Sequence, residues 1–216
     1  NIYAMTETIK YAIIGAGCMG QEHILNIELI DDAKVVALCD TSEQSIEESL
    51  KLLDNEVAIF KDYTDLIEAN IANAFIIATP NFTHIDVLKD VMESGVHLLI
   101  EKPLCTSVKD CQEFEKLAEN YPGVIWTAME YRYMPPVQRM INEIHNNTIG
   151  DLKMLSIREH RFPFLHKVDD WNRFAVKTGG TLVEKCCHFF DLMRLIAKSE
   201  PVKVYASGNQ DVNHLD

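Results

Sequence analysis

Gly15-Ala16-Gly17-Cys18-Met19-Gly20 follows the apolar run Tyr11-Ala12-Ile13-Ile14 and opens a stretch of helical periodicity. In that setting the glycine spacing predicts a turn that holds a dinucleotide. Gly15 permits the tight turn out of a first strand, Gly17 lets backbone N–H groups approach a pyrophosphate, and Gly20 lets the following helix lie close to the sheet. Cys18 and Met19 fall among the cofactor contacts, at a helix start whose N–H groups lack partners and carry partial positive charge. Twenty residues past Gly20, after Val35-Val36-Ala37-Leu38-Cys39, Asp40 offers a carboxylate to the hydroxyls of a ribose. The competing reading is a glycine turn with a purely structural role, and the register of strand, helix and acid argues against it.

From this turn to about Glu130 the chain alternates short β-branched apolar runs with amphipathic stretches. Residues 10–14, 34–39, 57–60, 73–78, 96–101 and 124–130 read as strands. Residues 18–30, 42–54, 64–70, 81–94 and 107–120 read as helices, several opening on caps such as Ser42, Thr64 and Ser107. The alternation predicts an α/β fold with right-handed crossovers and a doubly wound parallel sheet. Ligands of such sheets bind outside the carboxyl ends of the strands. Beyond the glycine turn, the residues expected on that polar rim are Asp40, Thr79-Pro80-Asn81, Glu101-Lys102-Pro103 and Glu130-Tyr131-Arg132.

A dinucleotide-binding domain is read over residues 5–131 and a second domain over 132–216. Pro135-Pro136 opens a helix to about His145, and Gly150-Asp151 turns into an alternating run, Leu152 to Arg161, that reads as a strand of a different sheet. A long helix over 180–198 and a strand over 201–208 follow. So few strands give little independent core and leave an unpaired edge, so the second domain is expected to be incomplete. Met5 reads as a native start, with Asn1 to Ala4 set aside as an expression remnant.

The chain has 216 residues, 47% of them apolar, and a net charge of −13. That charge would repel a phosphate backbone or an anionic bilayer, so neither nucleic acid nor membrane is an expected partner. No apolar stretch reaches bilayer length and no signal pattern precedes the first strand, which favours the cytoplasm. The six cysteines show no CxxC pair and no metal-ligand spacing. They read as free thiols, and no metal is expected: Cys186, Cys187 and His188 are adjacent and on a helix point about 100° apart.

On a helix over 180–198, Glu184, His188 and Asp191 share one stripe, with Phe189, Leu192, Met193 and Ile196 opposite. The stripe is either a solvated polar face or a set of acid–base groups. Lys102 bears on the choice, because it follows a strand at the ligand edge and precedes a rigid proline, an unusual setting for a surface lysine.

Taken together, the glycine turn, Ala78-Thr79-Pro80-Asn81 with His84, Glu101-Lys102-Pro103-Leu104, Glu130-Tyr131-Arg132-Tyr133, and Gly179-Gly180-Thr181-Leu182 through His188 to Asp191 resemble the Gfo/Idh/MocA family of nicotinamide-dependent oxidoreductases. The resemblance covers nearly the whole chain, and the combination is specific although the first motif is shared by many Rossmann proteins. It implies an N-terminal Rossmann domain, a C-terminal α+β domain on a mostly antiparallel sheet, a sugar, inositol or related polyol as substrate, and a homo-oligomer at full length. By the same resemblance Lys102 is the catalytic lysine beside the nicotinamide, Glu101 lies near its ribose, and His188 is the acid–base residue. Glu184 stands where the family commonly has an aspartate, one methylene shorter. Thr79, Pro80, Asn81 and His84 fall on the cofactor side; Tyr131, Arg132, Trp171 and Arg173 fall on the substrate side.

The chemistry is coherent, since oxidising a secondary alcohol removes a hydroxyl proton as hydride leaves carbon, and imidazole is the base suited to neutral pH. Lys102 would offset charge on the oxygen and Glu184 would orient Lys102 or a substrate hydroxyl. Asp40 favours NAD over NADP because it would repel a 2′-phosphate. Two alternatives stay open: a redox-neutral sugar-processing enzyme that retains NAD, and a dinucleotide-binding regulatory protein without turnover.

Overall fold

A computed structural model describes residues 8–160 and 167–208, which form two compact units, the first ending at Ala128 and the second beginning at Met129. The Met5 start lies outside the described residues, as does Arg161.

The first unit is a six-stranded parallel sheet in the order β3-β2-β1-β4-β5-β6, built from β1 (Ile9–Ile14), β2 (Ala33–Cys39), β3 (Ala58–Phe60), β4 (Ala74–Ile77), β5 (His97–Ile100) and β6 (Ile125–Thr127). The helices of this unit are α1 (Cys18–Ile27), α2 (Glu43–Leu50), α3 (Tyr63–Ala69), α4 (His84–Met92) and α5 (Val108–Ala118). The strand order reverses between β1 and β4, and a crevice at that switch point is the usual ligand site of this architecture. Period-two alternation divides the core between the two faces of the sheet. Ala12, Ile14, Phe75 and Ile77 pack with Leu88, Val91 and Leu66, while Ile13 and Ile76 pack with Ile24, Val35 and Leu38. Each of these Ile, Leu, Val and Phe side chains contributes roughly 1.5–3 kcal/mol by leaving water.

Ser42 and Ser107 cap α2 and α5 as expected. The cap of α3 is Asp62 rather than Thr64: its carboxylate accepts from the N–H of Thr64 at 2.9 Å. An expected strand to residue 130 ends at Thr127, and the chain then makes a 3₁₀ turn over Glu130–Tyr133. The expected helix over 81–94 opens as a separate 3₁₀ turn, Asn81–Thr83, before α4.

The second unit contains α6 (Pro135–His145), a 3₁₀ turn over Val168–Arg173, and the short helices α7 (Ala175–Thr178) and α8 (Thr181–Glu184) before α9 (Cys187–Ala197). Its apolar centre is small: Ile141 of α6 meets Leu192 and Ile196 of α9, with Leu152, Leu155 and Ile157 packed against them. Those last three are apolar residues of the expected strand, whose fourth, Met154, is exposed. Residues 152–160 and 201–208 are in fact neither strand nor helix. A strand needs a neighbour for its N–H and C=O groups, and the sheet of the first unit takes in no part of either segment. The mostly antiparallel sheet is accordingly not seen among the described residues.

The helix expected over 180–198 is also two helices. The N–H groups of Lys185 and Cys186 both point at the carbonyl of Thr181, at 3.0 and 3.1 Å, and Lys185 adopts φ −111°. The ladder slips there by one residue, so Glu184 and His188 stand on different helices. Among the described residues no helix is long and apolar enough to cross a membrane, and no group of three or more His, Cys, Asp or Glu is placed to hold a metal ion.

Candidate active site

The glycine turn is held from two sides. The carboxylate of Asp40 accepts from the N–H of Ala16 at 2.7 Å and from the N–H of Ser42 at 2.8 Å, and the hydroxyl of Ser49 on α2 donates to the carbonyl of Ala16 at 2.9 Å. Asp40 therefore shapes the turn as well as presenting charge at the end of β2. The three glycines do three different jobs. A Cβ on Gly15, which has φ +98°, would lie 2.5 Å from the carbonyl carbon of Ala78, and one on Gly20 would lie 2.1 Å from the carbonyl oxygen of Gly15. A Cβ on Gly17 would meet nothing within 4 Å. Gly17 is also the N-cap of α1 and brings no side-chain cap to it. An open space over uncapped helical N–H groups fits a pyrophosphate, which would supply the missing acceptors.

Past β2, a surface depression is lined by Asp40, Glu43, Ile46, Glu47, Ile59 and Lys61. Its charge is mostly negative, and the ammonium of Lys61 is already 2.6 Å from the carboxylate of Glu43. That lining suits a neutral ribose diol better than a phosphate.

After β4 and β5 the rim is tied by two histidines. His84 is fully buried. Its Nδ1 lies 3.0 Å from the carbonyl of Pro103 and 3.3 Å from that of Leu104, and its Nε2 lies 3.0 Å from the carbonyl of Thr79. The imidazole thus clamps two loops together and offers no surface to a ligand. Burial holds it below its ordinary pKa of 6.5, against the pull of the three carbonyls. Asn81, almost as buried, has an Nδ2 with no hydrogen-bond partner among the described residues. A donor left so costs about 1–3 kcal/mol, and a ligand oxygen at the rim would recover it.

His23 was not anticipated from the sequence. From α1 its Nε2 meets Glu101 Oε1 at 2.7 Å, while Glu101 Oε2 accepts from the N–H of Lys102 at 3.2 Å. Glu101 is 5% exposed, so its carboxylate is oriented by one side chain and one backbone group at the end of β5. The spacing that could have shown this is plain in retrospect: residue 23 lies one turn past Gly20, on the helix that starts at the cradle. Lys102 follows, half-buried, joined to Pro103 by a cis peptide.

In the second unit, His188 is 1% exposed, so the stripe on the sequence is not a solvated face at this residue. Its ring stacks on Tyr131 at 4.1 Å between centroids and 5° between planes, and Glu130 Oε1 lies 3.3 Å from its Nε2. Arg132 grips Asp191 with both arms, Nε to Oδ2 at 2.5 Å and Nη2 to Oδ1. Tyr131 and Arg132 thus serve the packing of α9. Trp171 and Arg173 sit half-buried on the 3₁₀ turn before α7, flanking a buried Asn172. Glu184, half-buried, closes α8. Lys185 was also missed: it is 8% exposed, donates to the hydroxyl of Tyr131, and lies 3.4 Å from Glu159. No pattern of lysines could have marked it, because only the break between α8 and α9 turns it inward.

Comparison with known proteins agrees with this fold. Residues 9–129 match an oxidoreductase family described by its NAD-binding Rossmann fold, and residues 141–215 match the C-terminal alpha/beta domain of the same family. The chain is 29% identical over 209 residues to the uncharacterized oxidoreductase YrbE of Bacillus subtilis, covering 97% of this chain and 60% of that protein. It is 26% identical over 201 residues to myo-inositol 2-dehydrogenase of Thermotoga maritima, covering 93% and 58%. A crystal structure of a probable dehydrogenase from Thermotoga maritima superposes with a TM-score of 0.74 at 25% identity, over 89% of this chain and 56% of that one. The chain therefore spans about three-fifths of the length of these relatives. With a dinucleotide cradle matched over residues 9–129 and the second domain matched after it, the chain belongs to the Gfo/Idh/MocA oxidoreductase family.

Proposed function

We propose that this chain carries the NAD site and the acid–base residue of a dehydrogenase that oxidises a secondary alcohol of a sugar, inositol or related polyol. The observation that carries the reading is the buried imidazole of His188 with a carboxylate on its Nε2, in a chain whose first unit has an open glycine cradle. A His oriented by an acid is the usual form of a general base, and burial removes water as a competing proton acceptor.

The N–H groups at the start of α1 would bind the pyrophosphate, Asp40 the adenine-side ribose, and Glu101, aligned by His23, the ribose of the nicotinamide. Nicotinamide, when bound, supplies the hydride acceptor. His188 takes the hydroxyl proton. If its Nε2 keeps a proton toward Glu130, the lone pair that accepts is on Nδ1, and the carboxylate stabilises the imidazolium that forms. Lys102 offsets negative charge developing on the alcohol oxygen, and Glu184 orients its neighbours. Tyr131, Arg132, Trp171 and Arg173 are the side chains proposed for the substrate side.

The test is a panel of polyols and sugars with the intact protein and NAD, followed by reduced-nicotinamide absorbance. Turnover on at least one polyol is expected, with His188→Ala and Lys102→Ala each lowering kcat by roughly 10²–10⁴ and leaving NAD affinity nearly unchanged. NAD binding without turnover on any member would overturn the dehydrogenase reading. Full activity of His188→Ala, with chemistry shown to be rate-limiting by a substrate isotope effect, would remove His188 from the mechanism.

A further inference from the structure

Lysines almost always keep their ammonium in water, yet Lys185 is buried at the junction of α8 and α9. Its Nζ donates to Tyr131 Oη, lies 3.4 Å from Glu159 Oε1, and stands 4.5 Å from the centre of the Tyr131 ring and 5.9 Å from that of Phe189. The same Tyr131 ring is the surface on which the His188 imidazole stacks. Glu130, one residue before Tyr131, meets that imidazole at Nε2. One short turn thus supplies both the face and the edge of the imidazole's surroundings.

A tyrosine ring packed only by its face can tilt and slide, because its terminal torsion is broad. A hydrogen bond at the hydroxyl removes that freedom, and one from an ammonium is stronger than one from a neutral donor. Lys185 also precedes His188 by three residues, so the bond ties the Glu130–Tyr133 turn to the start of the helix that carries the imidazole. Glu159 balances the buried charge.

We propose that Lys185 is a positioning residue for His188, acting through the hydroxyl of Tyr131. The catalytic importance of the device rests on reading His188 as the base; its existence does not. The experiment uses the intact protein as Lys185→Met, Tyr131→Phe and the double variant, with Tyr131→Ala as the unstacked reference and thermal melts confirming that each is folded. The first readout is the ring-proton resonances of His188 with labelled histidine, recorded without cofactor or substrate, because a stacked ring shifts them upfield. Each single variant is expected to move them downfield, toward their position in Tyr131→Ala, and the double to move them no further than the larger single effect. The second readout, taken on Lys185→Met, is a fall in kcat of roughly ten- to hundredfold with KM for the alcohol changed less than about twofold. Unmoved His188 resonances in Lys185→Met, or effects that simply add in the double variant, would overturn the proposal. If Lys185→Met fails to fold, Tyr131→Phe keeps the ring and decides the same question alone. If no polyol is oxidised, the dehydrogenase reading fails while the resonances still decide this one.

Discussion

His84 is a side chain whose surroundings no sequence discloses. The family resemblance implies a place on the cofactor side, but nothing in a sequence says which way an imidazole points. The structure turns both nitrogens onto backbone carbonyls of two rim loops. Burial lowers its pKa in the folded state, so below about pH 6.5 the unfolded chain binds more protons than the folded one. This contribution to stability is whole above about pH 6.5 and is lost as pH falls toward the folded-state value. Urea melts across that range should show the loss, and His84→Gln should abolish that part of the slope. The place of Asp40 directly after β2 was legible, because an acid closing the second apolar run stands out, whereas its hold on the glycine turn was not. In NAD and NADP titrations the parent protein should prefer NAD, and Asp40→Ala should narrow the gap, losing affinity for NAD as the glycine turn loosens.

At the level of elements, α1 and the strands beside it were readable because period and punctuation agree there. Strands of four to seven residues, buried toward their carboxyl ends, are bounded by turn residues such as Gly15, Asp32, Asp40 and Asn73, and the helices between them have one apolar face. The break at Lys185 was not readable: no glycine or proline marks it, and the lysine turned inward there meets a tyrosine fifty-four residues away in sequence, a contact no local pattern encodes. The strands expected at 152–161 and 201–208 failed for a related reason. Alternation says that a segment suits a sheet, whereas membership needs a neighbour. The cradle gives a pair of substitutions with opposite outcomes. Gly20→Ala forces a Cβ onto the carbonyl of Gly15 and should cost roughly 3 kcal/mol or more, read as a lower melting temperature. Gly17→Ala meets open space at φ −76°, so the fold should keep its stability while NAD affinity drops at least tenfold, because the methyl occupies the phosphate's approach.

For the molecule as a whole, the apolar cores differ in size. The first unit buries side chains on both faces of its sheet, whereas the second centres on Ile141, Leu192 and Ile196. Opening free energy follows buried apolar contacts, so amides of α6 and α9 should exchange at least roughly tenfold faster than those of β1 and β4. Hydrogen exchange read by mass spectrometry checks this. Equal protection in both units would mean that stability is shared and not local.

Cys18 is the first residue of α1, exposed, directly after the open space over Gly17. Of the other five thiols, Cys39 and Cys105 are buried and Cys111, Cys186 and Cys187 half-buried; burial pushes Cys39 and Cys105 up to about 12 and raises Cys111 and Cys186 as well. Thiolate is the form that reacts with an alkylating agent. The molecule thus carries a built-in footprint of its own occupancy. Alkylation by iodoacetamide should fall first on Cys18 and slow as NAD is added, with a half-effect concentration equal to the Kd found by calorimetry. Peptide mass spectrometry would read it directly, and labelling of Cys18 that ignores NAD would show that the dinucleotide lies elsewhere.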